Sequence, residues 1–451
     1  MSDAVESLRL RARQAGARAR GQGSAAELAQ ARDLVVELRN ARLYPELVQL
    51  AEAVCRRLPC DVRTRRLYAQ AQIEQGCALA AIDQLEALAR TVPRDDPESS
   101  EVAGLIGRAY KQIFIDAGDK TSEAARGALK KAIAAYRKPF EANPANTWHG
   151  VNLLSLLSRA RSMGVRVTGL DFEAVAQTVS QQLRNTPAAL RDEWYLPTLA
   201  EASLAVYDWA AVESALQGYV ADGQARAFMI ASTLRQFTQV WDVESIDERG
   251  RALVAILRAR LLEVSGGGVE LSPPELQRAR QQVEPAPGQL EAVLGACGAK
   301  TWKWWKTGLD RASAVCSVRT RMGDRLGTGW LVRAASLNRQ PGEELLVMTN
   351  FHVVNGEGAY NAIRPEAAEV VFEAEDAGKA YAVREIVWSS PPDRHDCSVL
   401  RLAEPVVGIE PLSLARDLPV VDAAAHVYVI GYPGGRELAF SLQDNALMDH
   451  E

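Results

Sequence analysis

Thr349-Asn350-Phe351-His352-Val353-Val354 is the stretch on which the reading of this chain turns. It closes the apolar run 345–349, so it reads as a buried strand that ends on a histidine. Just upstream lies Gly327-Thr328-Gly329-Trp330-Leu331-Val332. Downstream come Asp396-Cys397-Ser398-Val399-Leu400 and then Val429-Ile430-Gly431-Tyr432-Pro433-Gly434-Gly435. Short β runs at 315–319, 329–333, 345–349, 370–372 and 424–430 are separated by Gly, Pro and Asn turns, the pattern of an all-β barrel or sandwich.

A histidine at a strand end is either a satisfied core residue or a general base. A base needs a fixed imidazole titrating near neutrality and shielded from bulk water. It works with a carboxylate that accepts from its Nδ1 and holds the ring. Asp396 opens an apolar run and suits that position. Its rival, Asp393, sits in Pro391-Pro392-Asp393-Arg394, which reads as an exposed turn, and His395 beside it reads as solvent-facing.

Taken in order, the G-T-G-W strand, T-N-x-H-V-V and the strand opened by Asp396 resemble a trypsin-like serine protease of the HtrA-like kind. The resemblance implies that His352 is the base, that Asp396 is its partner, and that Gly431-Tyr432-Pro433-Gly434-Gly435 is the turn entering a second barrel. In that family the nucleophilic serine follows in a glycine-rich G-x-S-G loop whose backbone N–H groups form the oxyanion hole. After Asp396 the serines are Ser398, Ser413 and Ser441, and none lies in a glycine-rich turn. The expectation is therefore a trypsin-like double barrel whose second half is incomplete, with no nucleophile, as in a piece of a longer protease. Cys397 reads as structural. No R-I-V-G-G stretch precedes the barrel, so activation through a freed N-terminal isoleucine is not indicated.

The first half has a different period. From 25 to 265 successive amphipathic helices are expected, as at Leu34, Leu38, Ala41 and at Ile82, Leu85, Leu88, Ala89. Pro59 and Pro93 close two such helices 34 residues apart, the period of the tetratricopeptide repeat. In that register Ala69 sits at the close helix contact, Gly76 makes the turn, and Ala81, Leu85 and Leu88 line the second helix. The next unit begins at Gly107-Arg108-Ala109-Tyr110 and ends at Asn143-Pro144, with an insertion expected over about 115–127. Further helices are expected at 172–183, 190–206, 210–220, 225–240 and 247–264. Residues 107–156 resemble the TRAF-binding repeat segment of stress-activated kinase kinase kinases, which also occurs in bacterial conflict proteins. A stacked array of this kind has a concave face that binds proteins or peptides, or else packs only on its neighbour.

Two stretches flank these halves. Residues 1–24 carry Arg9, Arg11, Arg13, Arg18 and Arg20 without an apolar core, so a solvated, flexible basic tail is expected rather than a secretory signal. Residues 266–312 read as a Gly- and Pro-rich linker with a helix at 275–283 and a junction containing Trp302, Trp304 and Trp305. The tryptophans interleave with Lys303 and Lys306, which suits base stacking or a packing plug, and the plug is favoured because no wider basic patch surrounds them.

Composition sets the remaining bounds. The 451 residues are 47% hydrophobic and 24% charged, enough for two or three cores. A net charge of -5 gives no global reason for nucleic-acid or membrane binding. Six scattered cysteines without paired spacing indicate neither a zinc site nor a disulfide framework, and no cofactor is implied. Reduced thiols and the lack of an export signal point to the cytoplasm. The expected protein is a multidomain α + β chain: a repeat solenoid over 25–265 and a protease-like domain over 313–451. Its expected role is that of a regulated serine endopeptidase acting on protein substrates. The competing readings are a non-catalytic scaffold and a fragment cut by another protease.

Overall fold

The computed structural model describes residues 3–21, 23–221, 225–264, 267–280, 298–338, 343–415, 417 and 427–441. Two units separate at Gly267 and Gly268.

The first unit is helical: α1 (Asp3–Arg20), α2 (Ala25–Asn40), α3 (Tyr44–Arg57), α4 (Val62–Glu74), α5 (Ala78–Ala89), α6 (Pro97–Asp116), α7 (Glu123–Ala142), α8 (Thr147–Ser162), α9 (Phe172–Asn185), α10 (Tyr195–Ala205), α11 (Trp209–Ala221), α12 (Ala227–Arg235), α13 (Val243–Ile246) and α14 (Glu248–Glu263). Their starts are written in the sequence. Ser24 and Glu27 form a reciprocal capping box on α2, Asp96 with Pro97 starts α6, and Ser122 caps α7. From α1 to α9 each helix packs on the next.

The repeat register appears in side-chain burial. Ala69, Ala81, Leu85 and Leu88 share one core cluster, and Gly76 turns between α4 and α5 with a φ of +80°. Gly107 is needed for close approach: a Cβ there would lie 2.6 Å from the Tyr136 ring on α7. The long spacing of the second unit is not a loop insertion alone. α6 and α7 are each 20 residues, so the expected insertion over 115–127 is shared between the helix ends, 115–116 and 123–127, and the connection 117–122.

The flexible basic tail expected over 1–24 is instead α1. Ala12 and Ala19 are buried with Leu34, Leu47 and Leu50 of α2 and α3. Its arginines do not repel as a block because carboxylates meet them: Arg9 on Glu46 at 3.0 Å and Arg11 on Glu37 at 2.9 Å. The helix expected over 225–240 runs as α12 and then widens into a π-helical turn, Gln236–Trp241, which ends at Asp242 with φ +55°.

The second unit opens with β1 (Val269–Leu271), α15 (Pro273–Arg280) and α16 (Gly298–Ala312). Then follow β2 (Val315–Thr320), β3 (Arg325–Arg333), β4 (Leu345–Thr349), β5 (Ala368–Val371), β6 (Ala380–Ser390) and β7 (Cys397–Leu402). These six close into an antiparallel barrel in the order β2-β3-β4-β7-β6-β5. Cys316, Val318, Leu331, Val347, Val370, Val383 and Leu400 fill it, the inward positions of alternating strands.

The last strands, β8 (Val429–Gly431) and β9 (Leu438–Ser441), do not stand alone. The order of their sheet is β1-β9-β8, so Val269 to Leu271 pair with Phe440 to Leu438. The linker expected over 266–312 therefore supplies a strand and two helices to this unit. Trp305 of α16 is 1% exposed and meets Phe440 edge-on at 5.0 Å, so it packs inside the unit. The side chains of Trp302 and Trp304, and the proline-rich stretch 285–288, lie outside the described residues. Among the described residues β8 is an edge strand, with Val429 52% exposed.

Candidate active site

The register of β4 against β7 brings the site together. Thr349 lies opposite Ser398, Met348 opposite Val399 and Val347 opposite Leu400. The chain leaving β4 therefore passes the chain entering β7, and two residues 44 positions apart meet. His352 Nδ1 and Asp396 Oδ2 are 2.6 Å apart. The His352 backbone N–H donates to the other carboxylate oxygen at 3.1 Å.

Local geometry fixes both partners. Asp396 has a φ of +43°, a left-handed conformation that Asp tolerates better than most residues. Its N–H donates to the Pro391 carbonyl at 3.1 Å. Asn350 Nδ2 donates to the Asp396 carbonyl at 3.2 Å and to its Oδ2 at 3.3 Å. On the histidine side, a Cβ on Gly327 would come within 2.6 Å of Val353, so glycine lets the turn after β4 sit against β3. The buried Ser398 hydroxyl donates to the Val354 carbonyl at 2.7 Å, and Thr349 Oγ1 donates to the Thr328 carbonyl at 2.7 Å. Asn355, fully buried, closes the next loop through Phe351, Glu357 and Ala359.

Burial raises the Asp396 carboxyl, but hydrogen bonds from the His352 N–H and ring, its charge, and Asn350 outweigh burial. The carboxyl is held below its ordinary value and stays ionised at neutral pH. With Nδ1 donating to this carboxylate, Nε2 is left as the basic nitrogen. The His352 side chain is 53% exposed, and among the described residues its Nε2 has no hydrogen-bond partner. The shielding expected of a working base is thus not supplied by the described residues.

The other candidates fall elsewhere. Asp393 and His395 lie in the turn before β7, Asp393 exposed and His395 near Trp388. Cys397 is half-buried, its thiol pushed up by burial and by the Asp396 charge. Ser398 is spent on Val354, while Ser413 lies next to Leu412, which bridges to Val332 of β3. Ser441 ends β9. The Tyr432 N–H donates to Thr328 Oγ1 at 2.8 Å, which docks the glycine-rich turn on β3.

Asn350, Ser398 and Asn355 are the site builders that sequence reasoning misses. Asn350 enters only as a motif letter and Ser398 only as a rejected nucleophile. The one available signal is position, since each lies within three residues of His352 or Asp396.

Comparison with known proteins follows the same division. A family model described as Tetratricopeptide Repeats-Sensor matches residues 43–157. A model of the trypsin-like peptidase domain matches residues 327–451. Among solved structures, a thermophilic TPR protein of Thermus thermophilus is 17% identical, with a TM-score of 0.35 over 46% of this chain and 98% of its own. No curated protein matches the chain. The chain carries tetratricopeptide repeats followed by a trypsin-like peptidase domain.

Proposed function

We propose that the barrel is the base-bearing half of a serine endopeptidase site. His352 takes the proton from a serine hydroxyl as it attacks a peptide carbonyl, and Asp396 orients the ring and stabilises the imidazolium. The observation that carries this reading is the 2.6 Å contact of Nδ1 with a carboxylate held ionised, with Nε2 left open. The serine it would serve is none of Ser398, Ser413 and Ser441. The first is buried on Val354, and none of the three bonds to Nε2.

In this reading the helical unit binds a protein or peptide partner and regulates the peptidase, in the cytoplasm. Its support is the repeat match and the scattered free thiols, with Cys60 and Cys77 exposed. A non-catalytic scaffold is the second reading, favoured by the 53% exposure of the His352 side chain, which the described residues leave unshielded.

The test has two arms. The 451-residue polypeptide is treated with a fluorophosphonate, and the product of the full natural reading frame is assayed on casein. The expected results are no labelling in the first arm and His352-dependent cleavage in the second. Full-frame protein that neither labels nor cleaves would replace the peptidase with the scaffold.

A further inference from the structure

The helical unit holds a partly open cavity of about 410 Å³, in the range of small-molecule sites. It is lined from α2, α4, α6, α7, α8, α10, α12 and the π-helical turn. Five cations face it: Arg39, Arg66, Arg108, Lys111 and Arg235. Three are ion-paired. Arg66 pairs with Glu98, and Arg108 and Arg235 share Glu74.

The other two form no ion pair among the described residues. Lys111 Nζ donates to Asn152 Oδ1 and to Gln236 Oε1, each at 2.8 Å, with the Tyr136 ring 5.8 Å away. Arg39 donates to Asn40 Oδ1 and lies over the Phe228 ring at 5.1 Å. A half-buried ammonium whose hydrogen bonds go only to neutral amides is costly unless an anion completes it.

Two further features point to a ligand. Gln70 Oε1 and Gln239 Oε1 line the same space, are buried and lack hydrogen-bond partners among the described residues. Gln70 as a whole is only 6% exposed. Trp148, Trp194 and Phe228 present aromatic surface, with Trp194 and Phe228 edge to face at 6.2 Å. The π-helical turn delivers Gln236, Gln239 and Val240 to one wall, a use for which such widened turns are known.

We propose that this cavity binds a small ring-bearing organic anion. Its carboxylate or phosphate lies between Lys111 and Arg39, its ring lies on the aromatic wall, and a ring-borne N–H or O–H donates to Gln70 or Gln239. The site is separate from the barrel and does not rest on the peptidase reading.

Burial pushes the Lys111 ammonium down, to about 7, with repulsion from Arg108 and Arg235 opposed by Glu201 and Glu74. Burial pushes the facing Glu201 carboxyl up, against its bond from Trp241 Nε1 at 2.8 Å. The remaining carboxylates of the lining are Glu101, 3.6 Å from Arg66, and Asp192, which accepts from the Trp194 N–H. An incoming anion supplies the charge that restores the ammonium.

The test is calorimetry and saturation-transfer NMR on the 451-residue polypeptide with 4-hydroxybenzoate and phenyl phosphate, which separate the carboxylate and phosphate forms. Phenol is the chargeless control and inorganic phosphate the ringless one. At least one ring anion is expected to bind roughly tenfold or more tightly than either control, with charge-assisted bonds as the source. Lys111→Met, which keeps the volume, is expected to abolish that gain. Arg39→Gln, at a partly buried position, reports the same loss if Lys111→Met fails to fold. Phenol binding as tightly as the anions, binding that survives both variants, or no binding of either anion would overturn the proposal.

Discussion

The barrel site and the helical cavity each set a titratable group against an opposite charge, but by opposite means. At the barrel the pair is direct, 2.6 Å apart, half-exposed, and built from two strand ends. In the cavity Glu201 is buried and Lys111 half-buried, they form no direct ion pair among the described residues, and amides hold the ammonium while an indole holds the carboxyl. A direct pair near water holds its carboxylate ionised. A separated pair away from water leaves both members near the edge of their charged states. The first arrangement suits proton transfer at a fixed ring, and the second suits a site that becomes charged when a ligand arrives.

The largest effect that sharpens this contrast is catalytic. In the product of the full natural reading frame, His352→Ala is expected to lower peptide turnover by roughly 10⁴-fold or more. Asp396→Asn is expected to cost about 10⁴-fold by favouring the wrong tautomer. The check is kcat/KM on one peptide for the three proteins. Loss of less than about tenfold in either variant would remove the acid–base role from this pair.

The cavity yields a smaller effect of different sign. Benzoate keeps its charge across about pH 6 to 9. Its affinity is expected to rise as pH falls through about 7, by up to roughly tenfold per unit, because Lys111 gains its proton and Glu201 loses its charge in the same window. Calorimetry in two buffers of different ionisation enthalpy should show proton uptake on binding. An affinity that is flat across that window would show that the two groups do not face the ligand.

How far each region can be read in advance follows from how it is built. His352 and Asp396 are legible because strand ends carry short contiguous signatures, and because Asp396 opens an apolar run while Asp393 sits between prolines and arginine. β1 is not legible, since Val269-Glu270-Leu271 is three residues beside a glycine run and gains meaning only by pairing with β9. α1 looks like a charged tail because its partners, Glu37 and Glu46, belong to other helices. The cavity is invisible for the same reason: Arg39, Gln70, Lys111, Glu201 and Gln236 come from five separate elements, and no spacing in the chain relates them.

Packing gives a third and smaller effect, equal in kind for both units. Gly107→Ala presses a methyl on the Tyr136 ring, and Gly327→Ala presses one on Val353, each at 2.6 Å. Overpacking of this sort costs about 1–3 kcal/mol. Urea unfolding should show both losses, but only Gly327→Ala should also displace the His352 ring resonances, because Val353 follows His352 directly. Gly107→Ala should instead weaken anion binding, since Tyr136 lines the cavity. Crossed effects would mean that the two sites are not packed independently.

The smallest effect concerns acid stability. The Asp396 carboxyl is lowered in the folded protein, so its contribution is present above the ordinary unfolded value and is lost as pH falls through the folded one. Asp396→Asn removes that contribution. Wild type should therefore be the more stable protein at neutral pH, and the gap should close on acidification below about pH 4. The group is partly open to solvent, which keeps the difference small, so it is best read as a difference in barrel melting between the two proteins at matched pH. Asn350 donates to the same carboxylate, and Asn350→Ala should close part of the same gap without changing the charge count. A wild-type advantage that persists undiminished in acid would mean that Asp396 supports the turn through its backbone geometry alone, and that its carboxylate adds nothing to the fold it shares with His352.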